Sequence, residues 1–187
     1  MTNILVIYAT DYGNTKKAAE AIAAGALSVA NTQVEIKLAE DTTFEDLEKA
    51  DAVIVGTPVH MGSLDWRVKK FIDTVCSRMC MKDGMTGKVG AVFATGSGYG
   101  NAGGGVELTL LSLLTNFAEL GMVIVPLPKN TPGYHLGGIQ WGPWSRSAGE
   151  KMEQTGVSDD KLTVVHHHGA NVARLTAELK GKEIFVK

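Results

Sequence analysis

The sequence predicts one α/β domain of the doubly wound type, three layers deep, with five parallel strands. Two observations carry that prediction. Five short apolar runs rich in Val and Ile punctuate the chain, and between them apolar residues recur at helical spacing. Strands that alternate with helices need right-handed crossovers, which place helices on both faces of a parallel sheet. At 187 residues the chain is long enough for one well-buried core and short for two, so residues 1–187 are read as a single domain.

The strands are expected at ILVIYA (4–9), VEIKLA (34–39), AVIVGT (52–57), VGAVFAT (89–95) and MVIVPL (122–127). Three are apolar enough to be covered on both faces. The first helix follows from Ala19, Ile22, Ala26 and Val29, spaced by 3, 4 and 3. A short helix is expected near Phe44 to Glu48. Leu64, Val68, Phe71, Ile72 and Val75 form the next stripe, with Ser63 as its N-cap. Val106, Leu110, Leu113, Leu114 and Phe117 form another, closed by Gly121. The last carries Leu162, Val165, Gly169, Val172, Thr176 and Leu179 after Ser158, Asp159 and Asp160.

Composition excludes several classes of function. A net charge of -2 without a basic stripe argues against nucleic acid. No run approaches the roughly 20 apolar residues of a membrane span, and the N-terminus has no positive stretch before its apolar run. A cytoplasmic location is expected. Cys76 and Cys80 share a helix face at i, i+4, about 5–6 Å apart at Cβ and too far for an unstrained disulfide. A reduced, structural role is expected for both. His166, His167 and His168 point about 100° apart on a helix and cannot face one metal, so a structural role is expected and no metal site is predicted.

In a doubly wound domain ligands bind beyond the carboxyl ends of the strands, and three loops meet there. The first, TDYGNT (Thr10 to Thr15), has small residues whose backbone N–H groups can turn inward, two hydroxyls and a helix N-terminus behind it. It suits a terminal phosphate held without a lysine, although Asp11 must then point its carboxylate away. The second, GTPVHMGS (Gly56 to Ser63), is stiffened by Pro58, and His60 and Met61 offer a surface to a ring. The third, ATGSGYGNAGGG (Ala94 to Gly105), matches G-x-G-x-x-G at Gly98, Gly100 and Gly103. The next strand, however, lacks the acidic residue that a dinucleotide fingerprint requires. Its amides and Tyr99 fit a planar ligand better. A phosphate site with two ring-contacting loops describes FMN.

The long stretch from Pro128 to Gly156 follows the fifth strand on the same edge, and a lid is expected there. Tyr134, His135, Trp141 and Trp144 either rebuild a substrate pocket or pin that stretch to the surface.

T-x-Y-G-N-T, GTPVHMGSLDWRVKKFID, ATGSGYGNAGGG, LGMVIVP and HHHGANVARLTAEL together resemble the flavodoxin-like proteins. Among these the chain is most similar to the NAD(P)H:quinone oxidoreductases of the tryptophan-repressor-binding-protein type. The resemblance implies a flavodoxin-like sheet of order 2-1-3-4-5. It places Thr10, Asp11, Tyr12, Gly13, Asn14 and Thr15 around the FMN phosphate. Pro58, Val59, His60, Met61 and Gly62 would border the ring, and Thr95, Gly96, Ser97, Gly98, Tyr99 and Gly100 its pyrimidine side. It further implies NAD(P)H and a quinone as substrates, with His60 and Tyr99 in their pocket, and a homo-oligomer, dimer or tetramer. The alternative is a single-electron carrier between protein partners. The chain has His60 where the family has Arg and Leu120 where it has His, and SRMCMKDGMTGK lacks the family's Trp.

Overall fold

The computed structural model describes residues 1–185. Its elements are β1 (Thr2–Tyr8), α1 (Asn14–Leu27), β2 (Thr32–Leu38), α2 (Phe44–Lys49), β3 (Ala52–His60), β4 (Ser63–Leu64), α3 (Trp66–Phe71), α4 (Ser77–Cys80), β5 (Val89–Gly96), α5 (Val106–Glu119), β6 (Val123–Ile124), α6 (Tyr134–Gly137), β7 (Gly138–Ile139), β8 (Gly142–Arg146) and α7 (Leu162–Leu179). A single π-helical turn, Ile72–Cys76, joins α3 to α4.

The central ladders run in parallel in the order β2-β1-β3-β5. Alternate residues of each strand enter opposite layers, as a two-residue repeat demands. Leu5, Ile7, Val53, Val55, Val92 and Ala94 pack with Phe44 and Leu47 of α2, Val68 and Phe71 of α3, and Leu110 and Leu113 of α5. Ile4, Val6, Ile54, Ala91 and Phe93 pack with Ala18, Ala19 and Ile22 of α1 and Val164, Val165 and Val172 of α7. The doubly wound, flavodoxin-like architecture and the central strand order agree with the sequence reading.

The fifth strand differs. Val123 and Ile124 pair with Val89 and Gly90, and the Val125 N–H still reaches the Gly90 carbonyl at 2.9 Å. Pro126 then has no N–H to donate, so the ladder stops and the chain leaves the sheet. The vacated half of the β5 edge is taken by β8, in parallel register with Ala94↔Trp144, Thr95↔Ser145 and Gly96↔Arg146. The Pro128 to Gly156 stretch is therefore no simple lid: it turns back through the β7–β8 hairpin and completes the sheet.

Two smaller expectations also change. Ser63 belongs to β4, and α3 is capped by Asp65, whose carboxylate accepts the Arg67 N–H at 2.8 Å. Cys76 and Cys80 are free, as expected, and burial pushes the Cys76 thiol up to about 12. Behind the sheet α1 and α7 lie backbone to backbone. A Cβ at Gly25 would collide with the His166 carbonyl, and one at Gly169 with the Ile22 carbonyl.

The three histidines divide on α7. His166 and His167 are half-buried, whereas His168 is completely buried and neither of its ring nitrogens finds a partner among the described residues. Burial pushes its pKa down from 6.5 to about 4, so the neutral ring is the form that folds. Stability is then intact above the unfolded-state pKa of 6.5 and falls as the pH drops toward 4. At roughly 1.4 kcal/mol per pKa unit, the loss is about 3 kcal/mol. His168→Leu removes both orphaned nitrogens at similar volume. Urea denaturation is expected to show a higher midpoint at neutral pH and a flatter slope of stability between pH 6.5 and 4. An unchanged slope would assign the acid sensitivity to other groups.

Candidate functional site

The three strand-end loops meet at the carboxyl edge of β1, β3 and β5. In the first, the Thr10 hydroxyl accepts the Gly13 N–H at 3.0 Å, and Gly13 takes φ 80° to cap α1. The first intrahelical acceptor is the Gly13 carbonyl, reached by the Lys17 N–H at 3.0 Å. The N–H groups of Asn14, Thr15 and Lys16 have no backbone acceptor, as at any helix start. They form a ready anion site with the positive end of α1.

The second loop is tighter than its sequence implied. β3 continues to His60, and Met61 and Gly62 turn with φ 49° and 78° into the antiparallel β4, so that His60 pairs with Ser63. Positive φ at both central residues is the geometry of a two-residue hairpin. This turn rests against the third loop. A Cβ at Gly105 would lie 2.6 Å from the Gly62 Cα.

Between the first two loops lies a knot of charge. Asp65 is 1% exposed and accepts two hydrogen bonds from the Arg67 side chain, from Nε at 2.9 Å and from Nη2 at 2.8 Å. The same guanidinium donates to Asp11 at 2.8 Å and to the Thr10 carbonyl at 3.3 Å. The His60 ring stands between the carboxylates, Nε2 at 3.4 Å from Asp11 and Nδ1 at 3.2 Å from Asp65. Burial alone would raise the Asp65 carboxyl, but the hydrogen bonds and charge of Arg67 outweigh it and hold the group below the usual carboxylate range. The hydrogen bonds to Asp65 raise Arg67 in turn. Asp11, His60 and Asp65 bring ligand atoms within 4.8 Å of one another. The guanidinium already supplies their countercharge, so the knot is an ion-pair network. It also resolves the difficulty with Asp11, whose carboxylate is held by Arg67 and His60.

Thr10, Asp11, Tyr12, Asn14, Thr15, Pro58, Val59, His60, Thr95, Gly96 and Ser97 line one cleft of about 160 Å³. Thr15 and Thr95, both buried, join their hydroxyls at 2.7 Å and tie the first loop to the third. Gly13, Met61, Gly62, Gly98, Tyr99 and Gly100 do not line it. Met61 and Tyr99 project into solvent, and the Gly100 N–H is taken by the Glu150 carbonyl at 2.9 Å. Several glycines of the third loop are needed for its own packing. A Cβ at Gly104 would lie 2.6 Å from the Ser97 carbonyl.

Sequence reasoning missed two lining residues, Ser147 and Met152, which come from the stretch after β8. That stretch is fastened to the third loop by Arg146, which donates to the carbonyls of Ala102, Gly98 and Gly149 at 2.7–2.8 Å. Asn14 fastens it to the first loop by accepting the Val157 N–H at 3.1 Å. Trp141, Trp144 and Tyr134 pack against the core, and none of them, nor His135, lines the cleft. Of the two roles open to them, anchoring is the one this geometry supports.

Sheet, crossovers and cleft define a flavodoxin-like protein. The flavodoxin domain model matches residues 5–96. An NAD(P)H dehydrogenase (quinone) of Paraburkholderia phymatum is 34% identical, over 97% of this chain and all of its own. A flavodoxin of Aquifex aeolicus is 38% identical over 66% of this chain and 64% of its own. Among solved structures, the flavodoxin, WrbA-like protein from Agrobacterium tumefaciens superimposes with a TM-score of 0.72. It is 26% identical over 96% of this chain and all of that one. The chain belongs to the flavodoxin-like family of the NAD(P)H dehydrogenase (quinone) proteins.

The charge knot gives a direct test. Arg67→Ala leaves Asp65 as a buried carboxylate without its partner, which costs about 3–5 kcal/mol. Urea denaturation at pH 7 should show that loss. A loss below about 1 kcal/mol, the scale of an exposed pair, would mean that Arg67 does not hold Asp65 in solution.

Proposed function

We propose that the cleft binds FMN and that the chain is a flavin-dependent NAD(P)H:quinone oxidoreductase, passing two electrons as hydride in a ping-pong cycle. The observation that carries this reading is the first loop. The free amides of Asn14 and Thr15, the hydroxyl of Thr10 and the positive end of α1 lie at a cleft whose one lining carboxylate, Asp11, is paired with Arg67. The full-length relatives named as NAD(P)H dehydrogenase (quinone) supply the reaction class.

FMN, when bound, supplies the centre that accepts and donates hydride. Thr10 to Thr15 would hold its phosphate. Pro58, Val59 and His60, which line the cleft, would border its ring, and Thr95, Gly96 and Ser97 would face its pyrimidine edge, where free backbone N–H groups offset negative charge. His60, steadied by Asp11 and Asp65, and exposed Tyr99 border the substrate side. Both substrates use the same face in turn, so each must leave before the next enters. The single-electron carrier is the second reading, favoured by the likeness to the Aquifex aeolicus flavodoxin. A net charge of -2 gives little of the acidic field by which carriers steer basic partners.

Exposed Tyr12, Met61 and Tyr99 beside the cleft support assembly as a dimer or tetramer in which subunits complete each other's pockets. No helix among the described residues is long and apolar enough to cross a membrane. Two unpaired cysteines support a cytoplasmic location.

Anaerobic titration of the FMN-loaded protein with NADH and then NADPH tests the reading. Bleaching of the visible flavin band in one two-electron step is expected. Flavin that ignores both nucleotides and accepts single electrons from a chemical reductant would make the chain a carrier. The phosphate assignment has its own test. Thr10→Asp keeps an acceptor for the Gly13 N–H and adds a negative charge to the cleft. FMN affinity should fall by about a hundredfold, or roughly 2.7 kcal/mol. Riboflavin, which lacks the phosphate, should bind as before, and equal losses for both would remove the assignment.

A further inference from the structure

A second recess opens beside the cleft, between α3 and α5. It has a volume of about 650 Å³ and is lined by Ser63, Trp66, Lys69, Lys70, Thr74 and Ser112, among others. That volume lies within the range of small-molecule sites. Its chemistry is specific. Trp66 is 68% exposed, so a large flat ring stands in solvent without covering the core. Lys69 is held by Asp73, at 2.6 and 2.7 Å. Lys70 is exposed and makes no ion pair among the described residues. The groove thus offers an aromatic face, hydroxyls and one unpaired ammonium, while its one carboxylate is already neutralised.

Its position joins it to the cleft. Ser63 and Leu64, at its near end, pair across the hairpin with His60 and Val59, which line the cleft. One cross-strand step of about 5 Å leads from the second loop to the groove. From Trp66 to Lys70 is a further turn of helix, about 6 Å. A ligand with one planar end at the second loop and an anionic, planar far end could lie along this path. The substrate class proposed for the cleft has that shape.

Resting on the reductase reading, we propose that the groove between α3 and α5 is the adenosine-phosphate subsite of the dinucleotide, with the adenine on Trp66 and the 2′-phosphate of NADPH at Lys70. A base stacks on an exposed aromatic face irrespective of its identity. A lysine ammonium is a point charge suited to a phosphate. NADH has no 2′-phosphate, so Lys70 makes NADPH the preferred reductant.

The probe is adenosine 2′,5′-bisphosphate, titrated calorimetrically into the full chain with and without FMN. Trp66 and Lys70 are surface residues, so their variants should fold. Binding is expected to wild type and to Lys70→Arg, and to be at least tenfold weaker in Lys70→Glu and in Trp66→Ala. In steady-state assays Lys70→Glu should raise the ratio of the NADPH KM to the NADH KM at least tenfold. Absence of binding, or equal affinity in all four proteins, overturns the subsite. So does an unchanged affinity in variants that dissociate an oligomer on sedimentation, which would give the groove to a second copy of the chain. The two readings fail separately. If NADPH leaves the flavin oxidised while the bisphosphate still binds through Trp66 and Lys70, the reductase reading falls and the subsite stands. Reduction by NADPH that is indifferent to both residues does the reverse.

Discussion

One guanidinium sets the relation between the first two loops. Arg67 is carried by α3, yet it reaches back to the Thr10 carbonyl and Asp11 of the first loop while holding the buried Asp65 that caps its own helix. A buried carboxylate needs a close cation with hydrogen bonds, because desolvation otherwise outweighs any gain. Meeting that need at Asp65 places Arg67, and Arg67 then places Asp11. The one carboxylate of the first loop is neutralised as a consequence. Lysine could supply the charge but not the fork that bonds both carboxylates at once. An electrostatic requirement in the scaffold therefore has a direct effect on what the cleft can bind.

A second constraint acts from the other edge. A proline cannot donate to a ladder, so Pro126 ends the fifth strand after half its length. The exposed edge of β5 that results is filled by β8, whose register brings Arg146 beside Gly96. From there Arg146 gathers three carbonyls of the third loop and the following stretch. Ser147 and Met152 reach the cleft through this sheet-forming detour.

The layers and the convergence of three loops were legible because they depend on local pattern. Val-rich runs covered on both faces and helices of period 3.6 leave few topologies open, and parallel strands bring every strand-end loop to one edge. What escaped depends on backbone geometry and burial that residue pattern does not carry. Nothing in PVHMGS announces a two-residue hairpin, since Met61 is an unusual residue for positive φ. Ser63 and Asp65 are both acceptable caps, and only burial beside Arg67 decides for Asp65. Pro126 was visible, and its effect could have been drawn from the sequence; which segment would fill the gap could not. The spacing of Gly98, Gly100 and Gly103 invited a ligand-based explanation. Gly98 is packed against Ala102 of its own loop and Gly103 against Val106 at the start of α5.

Charge also bears on the choice between enzyme and carrier. A strongly acidic surface draws in basic proteins, and it opposes a dinucleotide that is itself an anion. The two demands conflict on a domain this small, because the strand-end loops touch one another, well within the Debye length of about 8 Å at physiological salt. This chain has 18 Lys and Arg against 20 Asp and Glu. Many of its acids are paired within the fold, as Asp11 and Asp65 are with Arg67, Asp73 with Lys69 and Asp51 with Lys180. Such pairing leaves little free negative field around the cleft and exposes Lys70 beside it. An anionic small molecule meets that surface without the barrier a carrier would raise, so the same pairing that stabilises the loops favours a nucleotide substrate.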